Sequence, residues 1–179
     1  NTSFSRWWAS YRYENEEEYD EFFDHYQNAI SDGAQVCITE QHHDLKDIPI
    51  LIDYDFRYEN KGTDKDPSRA FNDEGIVEAI KLHSEAYDKY VDMPSEDKAG
   101  AFMFMVFYRD TPYKKGNEWA DGFHIMGPEL VTSKEVHKLA RAQVVKKFDK
   151  IVHMFDYKNT IENLIDKSVI TSTGWCLYG

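Results

Sequence analysis

Ile48-Pro49-Ile50-Leu51-Ile52-Asp53-Tyr54-Asp55 is the stretch on which the fold turns. An apolar run this short, closed by charged residues, reads as a buried β-strand, and side chains two apart on a strand share a face. Asp53 and Asp55 therefore project together from the end of a rigid apolar element while Tyr54 faces the other way. Two like charges held side by side repel and resist desolvation unless a cation or basic partner lies between them. The arrangement suits a hard divalent ion, Mg²⁺ or Mn²⁺, bound through oxygen and shared with substrate phosphates. The alternative is a strand whose end has reached solvent.

The chain of 179 residues is long enough for one domain with a real core and too short for two comfortable ones. Apolar residues make up 41% and aromatics 15%, which is globular composition. No apolar run approaches the ~20 residues that span a bilayer, so no membrane partner is expected. Asn1-Thr2-Ser3-Phe4 carries neither an initiating Met nor a signal pattern, and Tyr178-Gly179 stops abruptly, so an excised piece of a longer polypeptide is expected. Cys37 and Cys176 cannot make a zinc site by themselves and read as buried, reduced thiols of an intracellular protein. The net charge of −12 argues against a whole surface that grips nucleic acid. Local basic surface exists around Lys134, Lys138, Arg141, Lys146, Lys147 and Lys150.

Outward from the decisive strand, Tyr19, Phe22, Phe23, Tyr26 and Ile30 recur at helical spacing behind an acidic first turn. This defines an N-terminal aromatic and acidic helical segment, residues 1–33, packed on a domain of residues 34–179. Within the latter the pattern predicts strands over 34–39, 48–56, 101–108, 121–126 and 175–178. The 101–108 run reads as a buried central strand, and Gly127-Pro128 as the stop of the next. Helices are expected over 73–91, 133–155 and 157–164, with a loop over 59–69 and a basic turn over 111–117. Mixed strands and helices without strict alternation argue for an α+β domain, a sheet with helices against one side.

Asp121-Gly122-Phe123-His124-Ile125 is a short strand with one histidine, and Ile165-Asp166-Lys167-Ser168-Val169 adds a late acid before Gly174-Trp175-Cys176-Leu177-Tyr178-Gly179. His124 reads either as a core histidine or as a ligand-facing one, and Asp156 competes with Asp166 as the third acid. Arg57, two residues past Asp55, either touches phosphate or template or pairs with the acids. Adjacent His42 and His43 should point to opposite strand faces, and Lys114 and Lys115 read as a solvated turn. Trp7, Trp8, Tyr11 and Tyr13 are expected to pack on the domain.

A strand ending in D-x-D-F-R, then G-F-H-I, then an acid before G-W-x-L-Y-G, resembles the archaeo-eukaryotic primase superfamily. Within it the pattern is most similar to the N-terminal primase domain of poxvirus-type primase-helicases of nucleocytoplasmic large DNA viruses. The resemblance runs from about Cys37 to Gly179 and implies a primase-type, RRM-like sheet with the catalytic face on the sheet. It implies Asp53, Asp55 and Asp166 as ligands of a two-metal Mg²⁺ or Mn²⁺ site, and His124, with Arg57, on the phosphates of an incoming nucleotide. The implied function is a nucleotidyltransferase making primers from NTPs or dNTPs on single-stranded DNA. A superfamily 3 helicase is implied further along the same polypeptide, hexameric at full length, working in the host cytoplasm. Two other classes carry comparable residues: a D-x-D glycosyltransferase, and an inert primase-like module that binds nucleic acid or a partner.

Overall fold

The computed structural model describes residues 14–34, 38–42 and 44–176. The chain divides into two compact units, residues 1–39 with 176–179, and residues 40–175. In the first unit α1 (Glu16–Ser31) forms where the aromatic spacing predicts it. Its first turn is capped by Asn15, whose side chain accepts from the Glu18 amide, and Glu16, Glu17 and Glu18 sit where the helix dipole favours them. Trp7, Trp8, Tyr11, Tyr13, Cys37 and His43 lie outside the described residues, as do residues 177–179 of the expected last strand.

The elements that follow are β1 (Thr39–Glu40), β2 (Asp47–Tyr58), α2 (Asp73–Asp88), α3 (Lys98–Ala101), β3 (Met105–Tyr108), β4 (Tyr113–Lys115) and β5 (Glu118–Ser133). The order continues with α4 (Lys134–Lys147), two 3₁₀ turns (Phe148–Lys150 and Val152–Met154), α5 (Ile161–Leu164), β6 (Ile165–Asp166), α6 (Ser168–Thr171) and β7 (Trp175–Cys176). A five-stranded sheet runs in the order β3-β5-β2-β6, with β4 also paired to β5. Its strand pairings, β2 with β5 and β6, and β5 with β3 and β4, are antiparallel. The protein is α+β, a mostly antiparallel sheet packed against helices, as the sequence predicts.

Three expectations are corrected by the sheet. The apolar run 101–108 is not a buried central strand. Its start is helical, β3 is short, and Met103, Met105 and Tyr108 are exposed at the sheet edge. The central places go to β2 and β5, whose alternating residues bury one face each. Gly127-Pro128 does not stop β5, because the β2–β5 register jumps from Ile50↔Gly127 to Pro49↔Val131 and the irregularity absorbs the proline. The single helix expected over 133–155 ends at Lys147 and continues as 3₁₀ turns. Of the residues that helical spacing turns inward, Ala140, Val144, Phe148, Ile151 and Phe155 are nevertheless buried and Val136 is half-buried.

On β2 the even residues Ile50, Ile52, Tyr54, Phe56 and Tyr58 form the main core with Phe123 and Ile125 of β5 and the apolar sides of α2 and α4. Tyr54 and Phe123 stack at 4.5 Å between centroids, which fixes these two strands against each other by large, stiff surfaces. A smaller cluster of Ile48, Leu51, Val169, Ile170 and Trp175 covers one end of the sheet.

Two histidines are built into the core. His83 of α2 is hydrogen-bonded to the Tyr54 hydroxyl at 3.0 Å, and its Nδ1 has no partner among the described residues. His137 of α4 donates from Nε2 to the Ile48 carbonyl at 3.0 Å, which leaves Nδ1 to accept the Tyr87 hydroxyl at 2.6 Å. Burial, then the charge of Arg141, lowers the His83 imidazole to about 3. Burial also lowers that of His137, against backbone hydrogen bonds that favour its charge. In the unfolded chain each titrates near an ordinary ~6.5. Below that pH the unfolded chain binds protons that the folded core refuses, so stability is full above about 6.5 and falls as the pH drops toward 3. The loss should approach about 1.4 kcal/mol per pH unit for His83 alone, and His83→Gln should flatten it; urea unfolding at about pH 7 and about pH 5 measures the slope.

Candidate active site on the open sheet face

The odd residues of β2 point away from the main core, and the strand pairing lines them up with their neighbours. Asp53 lies opposite His124 of β5 on one side and opposite Asp166 of β6 on the other. Directly paired residues of an antiparallel ladder share a face, so Asp166, Asp53 and His124 form one row across three strands. His124 Nε2 stands 3.3 Å from Asp53 Oδ1, and the two side chains are 32% and 22% exposed. His124 is thus half open to the face and not a sealed core residue. Its ring lies 5.0 Å from that of Trp175, which is buried.

Of the two candidates for third acid, Asp166 is the one in this row. Asp156 instead sits 2.6 Å from Lys61 at the surface, and its amide donates to the Ala70 carbonyl. The Asp166 carboxylate is held by Ser168, which donates from its amide (2.9 Å) and its hydroxyl (2.6 Å). Thr173 donates in turn to the Ser168 hydroxyl at 2.8 Å. Arg141 of α4 donates to the carbonyls of Ile165 (2.8 Å) and Glu162 (2.6 Å), fixing the backbone that carries Asp166.

One row along β2, Asp55 faces Gly122 and is clamped by Arg57, whose Nη1 and Nη2 reach both carboxylate oxygens, Nη2 to Oδ2 at 2.9 Å. Burial works against the Arg57 cation, but the bond to Asp55 and its charge outweigh this and hold the guanidinium above its ordinary value. The pairing alternative for Arg57 is the arrangement present. Asn159 completes this corner: its Nδ2 donates to the Asp55 carbonyl at 2.8 Å and its Oδ1 accepts the Arg57 amide at 3.1 Å. Lys158 donates its amide to the Arg57 carbonyl, so this side chain and backbone extend the ladder where β6 has ended.

Among the described residues no group of three or more His, Cys, Asp or Glu side chains closes into a metal cage. The donor chemistry still suits a hard cation, because Asp53 and Asp166 offer carboxylate oxygens side by side. Mg²⁺ in particular is commonly held by one or two carboxylates plus substrate phosphates and water. Asp55 already accepts from Arg57 on both of its carboxylate oxygens. The residue pair fits such an ion.

The family model described as the C962R protein N-terminal AEP domain matches residues 1–179. The chain belongs to this family of archaeo-eukaryotic primase domains. It is also similar to a protein of Acanthamoeba polyphaga mimivirus named as a helicase, L207/L206, at 30% identity over 156 residues. That match covers 86% of this chain and 15% of the relative, so the chain spans a small part of the viral protein's length. A primase-type domain in a chain similar to a helicase-named viral protein agrees with the primase-helicase likeness of the sequence. Among the described residues no helix is long and apolar enough to cross a membrane.

Other sequence candidates do not join the row. His42 is buried and its Nε2 donates to the Val169 carbonyl at 2.6 Å, a structural bond. Lys114 pairs with Asp64 at 3.1 Å, and the expected basic turn contains β4. Asp121, unremarked in the sequence, is buried opposite the site and bonded by Arg69, which lies over the rings of Phe71 and Tyr108. Ser168, Asn159 and Arg141 also had no assigned role. Only Ser168 carried a signal, the D-x-S spacing at which a carboxylate accepts from the amide two residues on.

Gly122 is needed for close approach: a Cβ there would stand 2.5 Å from the Tyr54 carbonyl oxygen. Gly122→Ala should push β5 from β2 beside Asp55 and cost about 1–3 kcal/mol by denaturant unfolding, in the range of other steric insertions into packed sites.

Proposed function

We propose that this domain is a metal-dependent nucleotidyltransferase that makes primers on single-stranded DNA during viral genome replication. The observation that carries this is the row Asp166–Asp53–His124 on an open sheet face. Asp53 and Asp166 would hold Mg²⁺ or Mn²⁺, with Asp55 as a further ligand. Such ions, when bound, polarise an attacking 3′-oxygen and neutralise a leaving pyrophosphate.

The chain's own residues have separate tasks. His124, beside Asp53 and partly open, donates to phosphate oxygens of the incoming NTP or dNTP. Ser168 and Arg141 position Asp166 from the side and from below. Arg57 neutralises Asp55 while the face is empty, and an arriving phosphate competes for the same guanidinium. Transfer of Arg57 to phosphate would free the Asp55 carboxylate, which could then serve as a further ligand beside Asp53 and Asp166. In the full polypeptide a superfamily 3 helicase ring would tether the domain to template, which suits an acidic domain that grips DNA weakly by itself. The setting would be the cytoplasm of an infected host cell.

A glycosyltransferase built on D-x-D usually alternates strands and helices; here the sheet is antiparallel, with α2 and α4 packed on the face opposite Asp53. An inert module remains the outcome to test against. With labelled NTPs, Mn²⁺ and single-stranded DNA, the purified chain should make short oligonucleotides, and Asp53→Asn should reduce this to background. Near-normal synthesis by Asp53→Asn would sink the assignment.

His124→Ala should raise KM or lower kcat for nucleotide while Tm stays within about 3 °C of the parent, the shift expected for about 1 kcal/mol in a domain this size. A larger fall in Tm with unchanged kinetics would make His124 structural.

A further inference from the structure

The open face does not end at Asp55. Arg57 of β2 pairs with Ala120 of β5, and Ala120 pairs on its other side with Tyr113 of β4. Arg57, Ala120 and Tyr113 therefore make a third row on the same face as Asp53, two residues beyond Asp55 along β2. Ala120, between Arg57 and Tyr113, is only 1% exposed, so the middle of this row is covered and its accessible part is the β4 end. Arg57 stands on one side of Ala120 and Tyr113 on the other, about two strand spacings, ~10 Å, apart along the row.

We infer that the β4 end of this row is a seat of single-stranded nucleic acid, with Tyr113 the surface on which a base stacks. Tyr113 is 41% exposed, a large part of an aromatic side chain left to solvent. The guanidinium of Arg109, from the loop between β3 and β4, lies 5.1 Å from the Tyr113 ring centroid, and among the described residues Arg109 forms no ion pair. An exposed ring with an arginine on it offers a π-surface to any base and a cation to the adjoining phosphate. Lys115 follows on the same face, opposite Glu118, so the net charge of the patch is modest. The grip is consequently more by stacking than by charge, which is what an acidic domain of net charge −12 permits. Lys114 points to the opposite face and lies 5.8 Å from the Trp119 ring centroid, so of the two hairpin lysines only Lys115 shares the face of Tyr113.

The inference rests on the polymerase reading for the kind of strand that runs past Asp53, but its test is separate. A short fluorescein-labelled oligothymidylate is titrated with the whole 179-residue chain at low salt and followed by anisotropy. The parent should bind in the roughly 10⁻⁶–10⁻⁴ M range of non-specific contacts. Tyr113→Ala should weaken binding about 5- to 100-fold, as loss of one stacked base does, and Tyr113→Phe should stay within about twofold. ATP affinity in the presence of Mn²⁺ should not change in either variant. Photocrosslinking of the parent with a thiothymidine oligonucleotide gives a readout independent of any variant's folding, and the adduct should map to Tyr113 or its hairpin. Absent binding by the parent, unchanged DNA affinity in Tyr113→Ala, or adducts confined elsewhere would overturn the inference. So would a loss of ATP affinity in place of DNA affinity, which would give the ring to the incoming nucleotide. A chain that binds DNA through Tyr113 yet never joins nucleotides overturns the catalytic proposal and leaves this one standing.

Discussion

The antiparallel register of β2 against β5 is the constraint on which everything else depends. Because side chains alternate with a period of two, a slip of one residue would send Asp53 into the core and Tyr54 to the open face. Such a slip would bury two carboxylates among aromatic rings and expose a continuous apolar surface, a cost far above that of any single contact. The stack of Tyr54 on Phe123 and the close approach of Gly122 to the Tyr54 carbonyl hold the strands to one alignment. The irregularity between Pro49 and Ile50 lies beyond the site, so the proline of β5 is absorbed without moving His124 from Asp53.

Charge on the open face is managed pairwise. Asp55 has Arg57, Asp166 has Ser168 and the backbone held by Arg141, and Asp53 has the His124 ring nearby. The like charges of the D-x-D pair are thereby kept from acting at full strength on each other. The acidic balance of the whole chain leaves this face dependent on local arginines for any contact with polyanions.

Beneath the face, polar groups are buried with equal economy. The Tyr54 hydroxyl, between the two acids in sequence, ends on His83, while His137 joins Tyr87 to the Ile48 carbonyl. These bonds tie α2 and α4 to the strand that carries Asp53 and Asp55, so helix packing and site geometry are one mechanical unit. The Asp121–Arg69 pair does the same at the far end of β5.

Local pattern in the sequence determined the decisive strand, the shared face of Asp53 and Asp55, the capped helices, the α+β class and the inward residues of α4. Each follows from spacing along a single element, where periodicity of two or 3.6 is enough. Family likeness added His124 and Asp166 as candidates but not their neighbours. Only tertiary structure decided that Asp166, and not Asp156, stands beside Asp53, since that depends on β6 pairing with β2 more than a hundred residues away in the chain. It alone assigned Asn159 to the edge of β2 and placed the 101–108 run at the sheet edge. Apolar content says that a strand is buried somewhere, but its place in the sheet is set by which partners claim its two edges. The row of Arg57, Ala120 and Tyr113 was equally hidden, because three residues from three strands become neighbours only through hydrogen-bond register.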